Sequence, residues 1–532
     1  MRLILKEYLL SLKEKDELDI LLCNVYAEKG YITDSLPKTG NRQYGVDIQM
    51  HGEDELLLFV VKQGNINRQI WDGDINSVRQ SLDEIKDVAV KMLTPEERKK
   101  SLRVIVATNG LKEEAIKNNW NGYVTSNKNW DGINVSIEFI GIDDIVNDVK
   151  DIYFNENLFN SKMKSSLRRA LYFIDADVDY NSRYYEQILD SIILEITKNA
   201  NSQTKQNKTW ALFYMISQMI AQYAHDAELN RIAIMVTEYS IIQYWKYLYK
   251  SSKFEKETDA ERLNKLINRY IYWNSFYLSE VESVVDDFGA LPNYNPVESR
   301  VTLYEILGFI STYEAVLCES ESEKTNHVME VIIKLLNRYA YYKLPPYDIS
   351  ISVIITIINI LDNAGRIDDL NCFMENIANQ CILGFRQMNL YPAPTDSYEE
   401  ALRISRREKG LEYLTSSFWG YFMLLIKKYD NTELFNTVEE FVNNDLKNVC
   451  KCVWFIRATE EELYYEKAAM NRSGEGIEII VSKDYTEFVR TIDFILKQYE
   501  NEMLSFDQYG FSALENIVCR YYSYIPRVKI PR

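Results

Sequence analysis

Asp47 and Lys62 are the residues whose type and setting best suit chemistry. Asp47 lies in Gly45-Val46-Asp47-Ile48-Gln49-Met50, which alternates with period two. That spacing puts Val46, Ile48 and Met50 on one face of a strand and Asp47 with Gln49 on the other. Lys62 closes the near-continuous apolar run 56–61 and is followed by Gln63-Gly64, the pattern of a central strand buried on both faces. Gly52-Glu53-Asp54-Glu55 between them reads as a turn. A hairpin folded about Glu53-Asp54 sets Asp47 opposite Val60 and brings Lys62, two residues further along the same face, to the same sheet edge. A carboxylate and an ammonium group meeting there can frame a hard cation. Only three His are present and the seven Cys are scattered, so a metal site must be built on carboxylates, which points to Mg²⁺ or Mn²⁺.

The elements that position this pair follow from periodicity. Residues 9–27 carry Leu9, Leu12, Leu18, Leu21, Leu22 and Val25 at helical spacing and stop at Lys29-Gly30. Tyr31-Ile32-Thr33 begins a short extended piece. Residues 78–93 are predicted helical, with Leu82, Ile85, Val88, Ala89 and Met92 on one face. Residues 103–107 and 133–140 read as strands, 113–120 and 142–149 as helices. The order predicts a mixed three-layer α/β domain over residues 1–150.

These residues and their order resemble the PD-(D/E)XK nuclease superfamily, particularly its Mrr-like, type IV restriction branch, over roughly residues 8–145. The family's pattern is a first helix, a G-[VI]-D strand, a strand bearing [EQ]-x-K, then a helix and a further strand. Gly45-Val46-Asp47-Ile48 matches the first strand and Val61-Lys62 the end of the second. The resemblance implies a restriction-endonuclease-like αβββαβ fold and hydrolysis of DNA phosphodiester bonds assisted by Mg²⁺ or Mn²⁺. It implies that Asp47 and the main-chain carbonyl of Val61 hold the ion and that Lys62 assists the attacking water. The chain departs from the pattern at Val60, where the family has Glu or Gln. Three consequences stay open: a carboxylate supplied from elsewhere, weak metal binding, or no catalysis. Glu17 on the first helix is the favoured replacement, because first-helix acids complete the site in Mrr-like members. Glu28, Asp72, Asp74 and Glu84 are weaker choices, and a bulge at Gly64 would redirect Gln63.

Residues 67–74 read as a polar loop beside the cleft, from which Arg68, with Arg79 and Gln80 on the next helix, can contact a nucleic-acid backbone. Trp71 is equally well read as a packing anchor. Arg98-Lys99-Lys100 is expected to cap a helix end. Basic groups also cluster at Arg403, Arg406, Arg407 and Lys409, and at Arg527, Lys529 and Arg532.

From about residue 160 the strand signal gives way to helices at 184–198, 210–223, 232–249, 260–274 and 301–318, and to a helical pair at 349–361 and 370–388. Residues 151–166 read as a linker and 167–532 as an all-α irregular solenoid or bundle, so the whole chain is expected to be an α+β multidomain protein. No fixed-period repeat holds. The 532 residues carry a net charge of −18, which argues against a surface that binds nucleic acid throughout. Residues 1–150 carry 20 Lys/Arg against 25 Asp/Glu, so most of the acid excess lies in the helical part. The 39 tyrosines suit inter-helix packing. Phosphate loops, dinucleotide glycine fingerprints, GxSxG elbows and kinase motifs are absent from the sequence. No apolar run reaches the ~18–20 residues of a bilayer span, and the start runs straight into charged residues, so a cytoplasmic protein without a membrane partner is expected. By analogy of architecture, such a fusion looks like a bacterial antiviral defence effector whose helical part senses a trigger, oligomerises or docks a partner protein. The competing expectations are a catalytically silent binding module on a helical scaffold, and a ribonuclease.

Overall fold

The computed structural model describes residues 2–35, 44–74, 76–154, 159–175, 182–199, 202–286, 296–320, 325–339, 343–388, 390, 392–408, 414–455, 457–467, 475–497 and 503–528. The chain divides into two compact units, Met1–Ala227 and Glu228–Arg532. The division therefore falls well beyond the expected linker at 151–166. Tyr153, Phe154, Phe159 and Met163 within that stretch are buried, because the helix Ile142–Tyr153 and the helix Ser161–Asp175 turn apolar faces inward.

Among the described residues, six strands form the sheet of the first unit: β1 (Ile32–Ser35), β2 (Ile48–His51), β3 (Glu55–Lys62), β4 (Ser101–Thr108), β5 (Asn129–Trp130) and β6 (Ile133–Ile140). Their spatial order is β1-β2-β3-β4-β6-β5. The first three pair antiparallel, β3, β4 and β6 run parallel, and β5 returns antiparallel to β6. This mixed sheet, followed by a helical region, makes the protein α+β.

β3 and β4 are central, and their sequences explain why. Leu56, Leu58 and Val60 join Val104 and Val106 in a cluster with Trp71, Val78, Leu82, Ile85 and Trp120. Alternation sends Phe59 to the other face, where its ring meets Tyr26 edge-on at 4.9 Å. Each fully buried Leu, Val or Phe here contributes roughly 1.5–3 kcal/mol.

Two local expectations change. The predicted helix over 9–27 is two helices, α1 (Arg2–Ser11) and α2 (Asp19–Glu28), because the backbone between them leaves helical geometry at Lys15 (φ −95°, ψ 143°) and Asp16 (φ 67°). Aspartate tolerates that left-handed conformation better than most residues. The 67–74 segment contains a short helix, α3 (Arg68–Asp72), whose first turn is capped by Asn67 Oδ1 accepting from Ile70 N at 3.0 Å. The next helix, α4 (Val78–Glu84), continues through a wider turn to Met92.

The second unit is predominantly helical but not all-α. β7 (Thr415–Ser416), β8 (Cys450–Phe455) and β9 (Glu475–Glu478) form a small sheet in which β8 pairs parallel to β7 and antiparallel to β9. The Cys450-Lys451-Cys452 alternation belongs to a strand, with the two sulfurs 3.1 Å apart. Tyr244, Tyr270, Tyr313, Tyr464 and Tyr465 are fully buried, as expected of packing tyrosines. The helix Pro296–Glu319 is long and apolar enough to cross a membrane, and 72% of its apolar stretch is buried. Glu305 and Glu314 interrupt it, so it holds no unbroken apolar run of that length.

Candidate functional site

The hairpin ladder runs from His51↔Leu56 to Ile48↔Phe59. The regular ladder stops there: Asp47 N donates at 2.8 Å to the carbonyl of Phe59, the residue already opposite Ile48, so the expected Asp47–Val60 pairing does not form. There β2 ends, and the Asp47 side chain replaces the missing backbone: its Oδ2 accepts from Val61 N at 2.8 Å. Gly45 makes this possible. Its φ of 81° suits glycine, and a Cβ there would lie 2.2 Å from the Ser81 carbonyl oxygen of α4. The GVD sequence thus needs its glycine both for the turn and for close approach to a helix.

A loop between α1 and α2 supplies the second acid. Glu14 Oε1 lies 3.8 Å from Lys62 Nζ, with Lys62 mostly shielded at 14% side-chain exposure. Glu17, the acid favoured from sequence, faces its own loop instead: its Oε2 accepts from Lys13 N at 2.9 Å. It shapes the turn that presents Glu14. In an unbroken helix Glu14 and Glu17, three residues apart, would share a face, so periodicity alone could not separate their roles.

Asn109 fixes this loop to the strand ends, and sequence reasoning missed it. Fully buried after β4, its Nδ2 donates to the carbonyls of Leu9, Leu10 and Leu12 at 3.0, 3.1 and 2.8 Å. Its Oδ1 accepts from Gly64 N at 2.8 Å. One amide thereby ties the exit of α1 to the end of the strand bearing Lys62. The only signal in the sequence is an Asn-Gly pair after an apolar run, which also reads as a plain turn.

Electrostatics sharpen the site. Burial pushes the Asp47 carboxyl up to about 6; the Val61 N–H and the Lys62 and Lys15 ammonium groups oppose that rise, and Glu14 adds to it. Asp47 is thus a shielded acid next to a second carboxylate and an ammonium group. In a strand the N–H and C=O of one residue leave on the same edge, so the Val61 carbonyl shares the Asp47 side. Among the described residues no group of three or more His, Cys, Asp or Glu side chains is arranged to hold a metal ion. Val60 is fully buried in the apolar cluster under α4.

The remaining sequence candidates are dispersed. Glu28 pairs with Lys208 at 2.9 Å, and Asp72 with Arg79 at 3.1 Å. Asp74 accepts from Asn76 N at 2.8 Å within its own turn. Glu84 is half-buried on α4, and Gln63 is exposed. Arg68 and Gln80 are exposed, while Arg79 also approaches Asp83 at 4.0 Å. Trp71 is a packing anchor, 1% exposed and edge-on to Trp120 and Tyr123. Arg98 donates to the carbonyls of Val90 and Lys91, a helix-end cap.

In the second unit, Arg403 lies 3.9 Å from Glu400, and Arg406 and Arg407 are exposed. Arg527 is locked to Glu515 and Asp507 at 2.8 and 2.7 Å, so it is not a free phosphate-binding tail. Lys409, Lys529 and Arg532 lie outside the described residues.

No protein-family model, curated protein or solved structure matches the chain.

Proposed function

We propose that the first unit is a restriction-endonuclease-like domain that hydrolyses DNA phosphodiester bonds with a divalent cation. The observation that carries this reading is the meeting of Asp47, Lys62 and Glu14 at the end of β3. The donor set fits a hard cation: Asp47 and Glu14 offer carboxylate oxygens and Val61 a carbonyl. Mg²⁺ is commonly held by one or two carboxylates together with substrate phosphates. When bound, Mg²⁺ or Mn²⁺ supplies Lewis-acid polarisation of the phosphate and a more acidic water. Asp47 and Glu14 would hold the ion, and their negative charge would help to recruit it. Lys62, shielded from solvent, donates hydrogen bonds to the water or to the phosphate oxygens and offsets the charge that develops there. Arg68 and Gln80, and Arg79 once its exposed ion pairs open, contact the backbone of the nucleic acid; such surface pairs contribute only ~0–1 kcal/mol.

A second reading has its own support. Val60 occupies the position where the family pattern has Glu or Gln, and it is buried in apolar packing. A silent nucleic-acid-binding module on a helical scaffold accommodates that residue without strain. Plasmid DNA and a structured RNA incubated with the full chain in Mg²⁺ or Mn²⁺ separate the readings. DNA cleavage lost in Asp47→Ala and Lys62→Ala supports the DNase; RNA cleavage with the same losses moves the substrate to RNA. Binding without cleavage in either metal supports the silent module. The defence role, with a partner or second copy engaged by the helical unit, rests on architecture alone.

A further inference from the structure

The helical unit contains an open pocket of about 720 Å³, within the roughly 300–1,000 Å³ of small-molecule sites. Its walls come from the helices Pro296–Glu319, Thr325–Arg338, Ile351–Asn363 and Leu514–Tyr522 and from Lys428 and Arg527. The two cations in the lining are already matched. Arg527 Nε sits 2.8 Å from Glu515 Oε1 and Lys428 Nζ 3.3 Å from Asp362 Oδ2. Glu319 also lines the cavity, and its Oε1 accepts from Ala513 N at 2.9 Å.

Glu314 differs from the other acids. It is 1% exposed. Its Oε1 is approached by the Cys318 thiol, Sγ at 3.8 Å, and its Oε2 is buried without a hydrogen-bond partner. Burial pushes its carboxyl up to about 8, the mark of an acid lacking a counter-ion. A buried polar atom left unpaired costs about 1–3 kcal/mol, and more for a charged group. Glu314 lines the cavity, together with three other acids against two bases. A ligand offering N–H donors and positive charge recovers that cost. The planar fork of a guanidinium matches a carboxylate bidentately.

We propose that this cavity binds a small guanidinium- or amidinium-bearing molecule, its planar N–H edge seated on Glu314. This site goes beyond the phosphodiester reading and stands without it. The test titrates the full chain with agmatine, and in parallel with choline, a cation without N–H groups. Agmatine at millimolar concentration is expected to raise the thermal midpoint by about 2 °C or more. It is also expected to slow alkylation of Cys318, which is exposed at the cavity rim. Both responses should vanish in Glu314→Gln, whose melting still reports a folded unit. No response to agmatine, an equal response to choline, or an undiminished response in Glu314→Gln would overturn the assignment.

Discussion

Asp47 and Glu314 are both shielded acids, yet their surroundings differ. Asp47 ends a strand pairing, receives an N–H from Val61 and faces Lys62. Glu314 sits mid-helix against a cavity, with one oxygen left without a partner. Burial raises both carboxyls, but the one with partners stops at about 6 and the other reaches about 8. The contrast teaches that burial alone does not mark a reactive acid. An N–H and an ammonium group arranged around Asp47 keep it available in its charged form near neutral pH, which cation binding requires. Glu314 awaits an external counter-ion.

The comparison can be broken first at Val60. If this residue is structural, Val60→Glu places an unpaired carboxyl against Trp71 and Leu82 and should destabilise the first unit by about 4 kcal/mol or more, read by urea denaturation. A Val60→Glu protein of undiminished stability would mean that position 60 opens to the site. Next comes Glu314. Its folded pKa exceeds its unfolded value, so folding is penalised progressively as pH rises from about 4.5 to 8. Glu314→Gln should therefore gain about 2–4 kcal/mol at pH 8.5 and much less near pH 4.5.

Asn109→Ala removes four hydrogen bonds from a buried junction. It should cost about 2–3 kcal/mol and speed amide exchange at residues 12–18, with Glu14 displaced from Lys62. The smallest effect belongs to Asp47. Its penalty grows between about pH 4 and 6, so Asp47→Asn, in EDTA, should be more stable than the parent by about 1–2 kcal/mol at pH 7.5. That margin should close near pH 4. A constant margin would place the charge elsewhere.

Much of the first unit was legible because its signals are local. Period-two alternation in 45–50, the apolar run 56–61 and the turn at Gly52 fix the hairpin register, since a one-residue slip would expose Ile48 and Met50. The mixed sheet follows from the order of those signals. The break between α1 and α2 was not legible, because Leu9, Leu12 and Leu18 keep helical spacing across a loop whose left-handed Asp16 gives no pattern. That single miss exchanged Glu17 for Glu14. Asn109 acts through carbonyls about a hundred positions away in sequence, which no spacing rule reaches. β8 escaped notice because Cys450 and Cys452 alternate inside a region otherwise dominated by helical periodicity.

The central claim is that Asp47, Glu14 and Lys62 form one cation-dependent hydrolytic centre, and plasmid cleavage by the full chain tests it most directly. Cleavage in Mg²⁺ or Mn²⁺, halted by EDTA, should fall at least ~100-fold in Asp47→Asn and Lys62→Ala. It should fall at least ~10-fold in Glu14→Gln, while Glu28→Gln leaves it unchanged. Cleavage that survives in Asp47→Asn, or that fails in every metal with the parent protein folded and bound to DNA, would contradict the account.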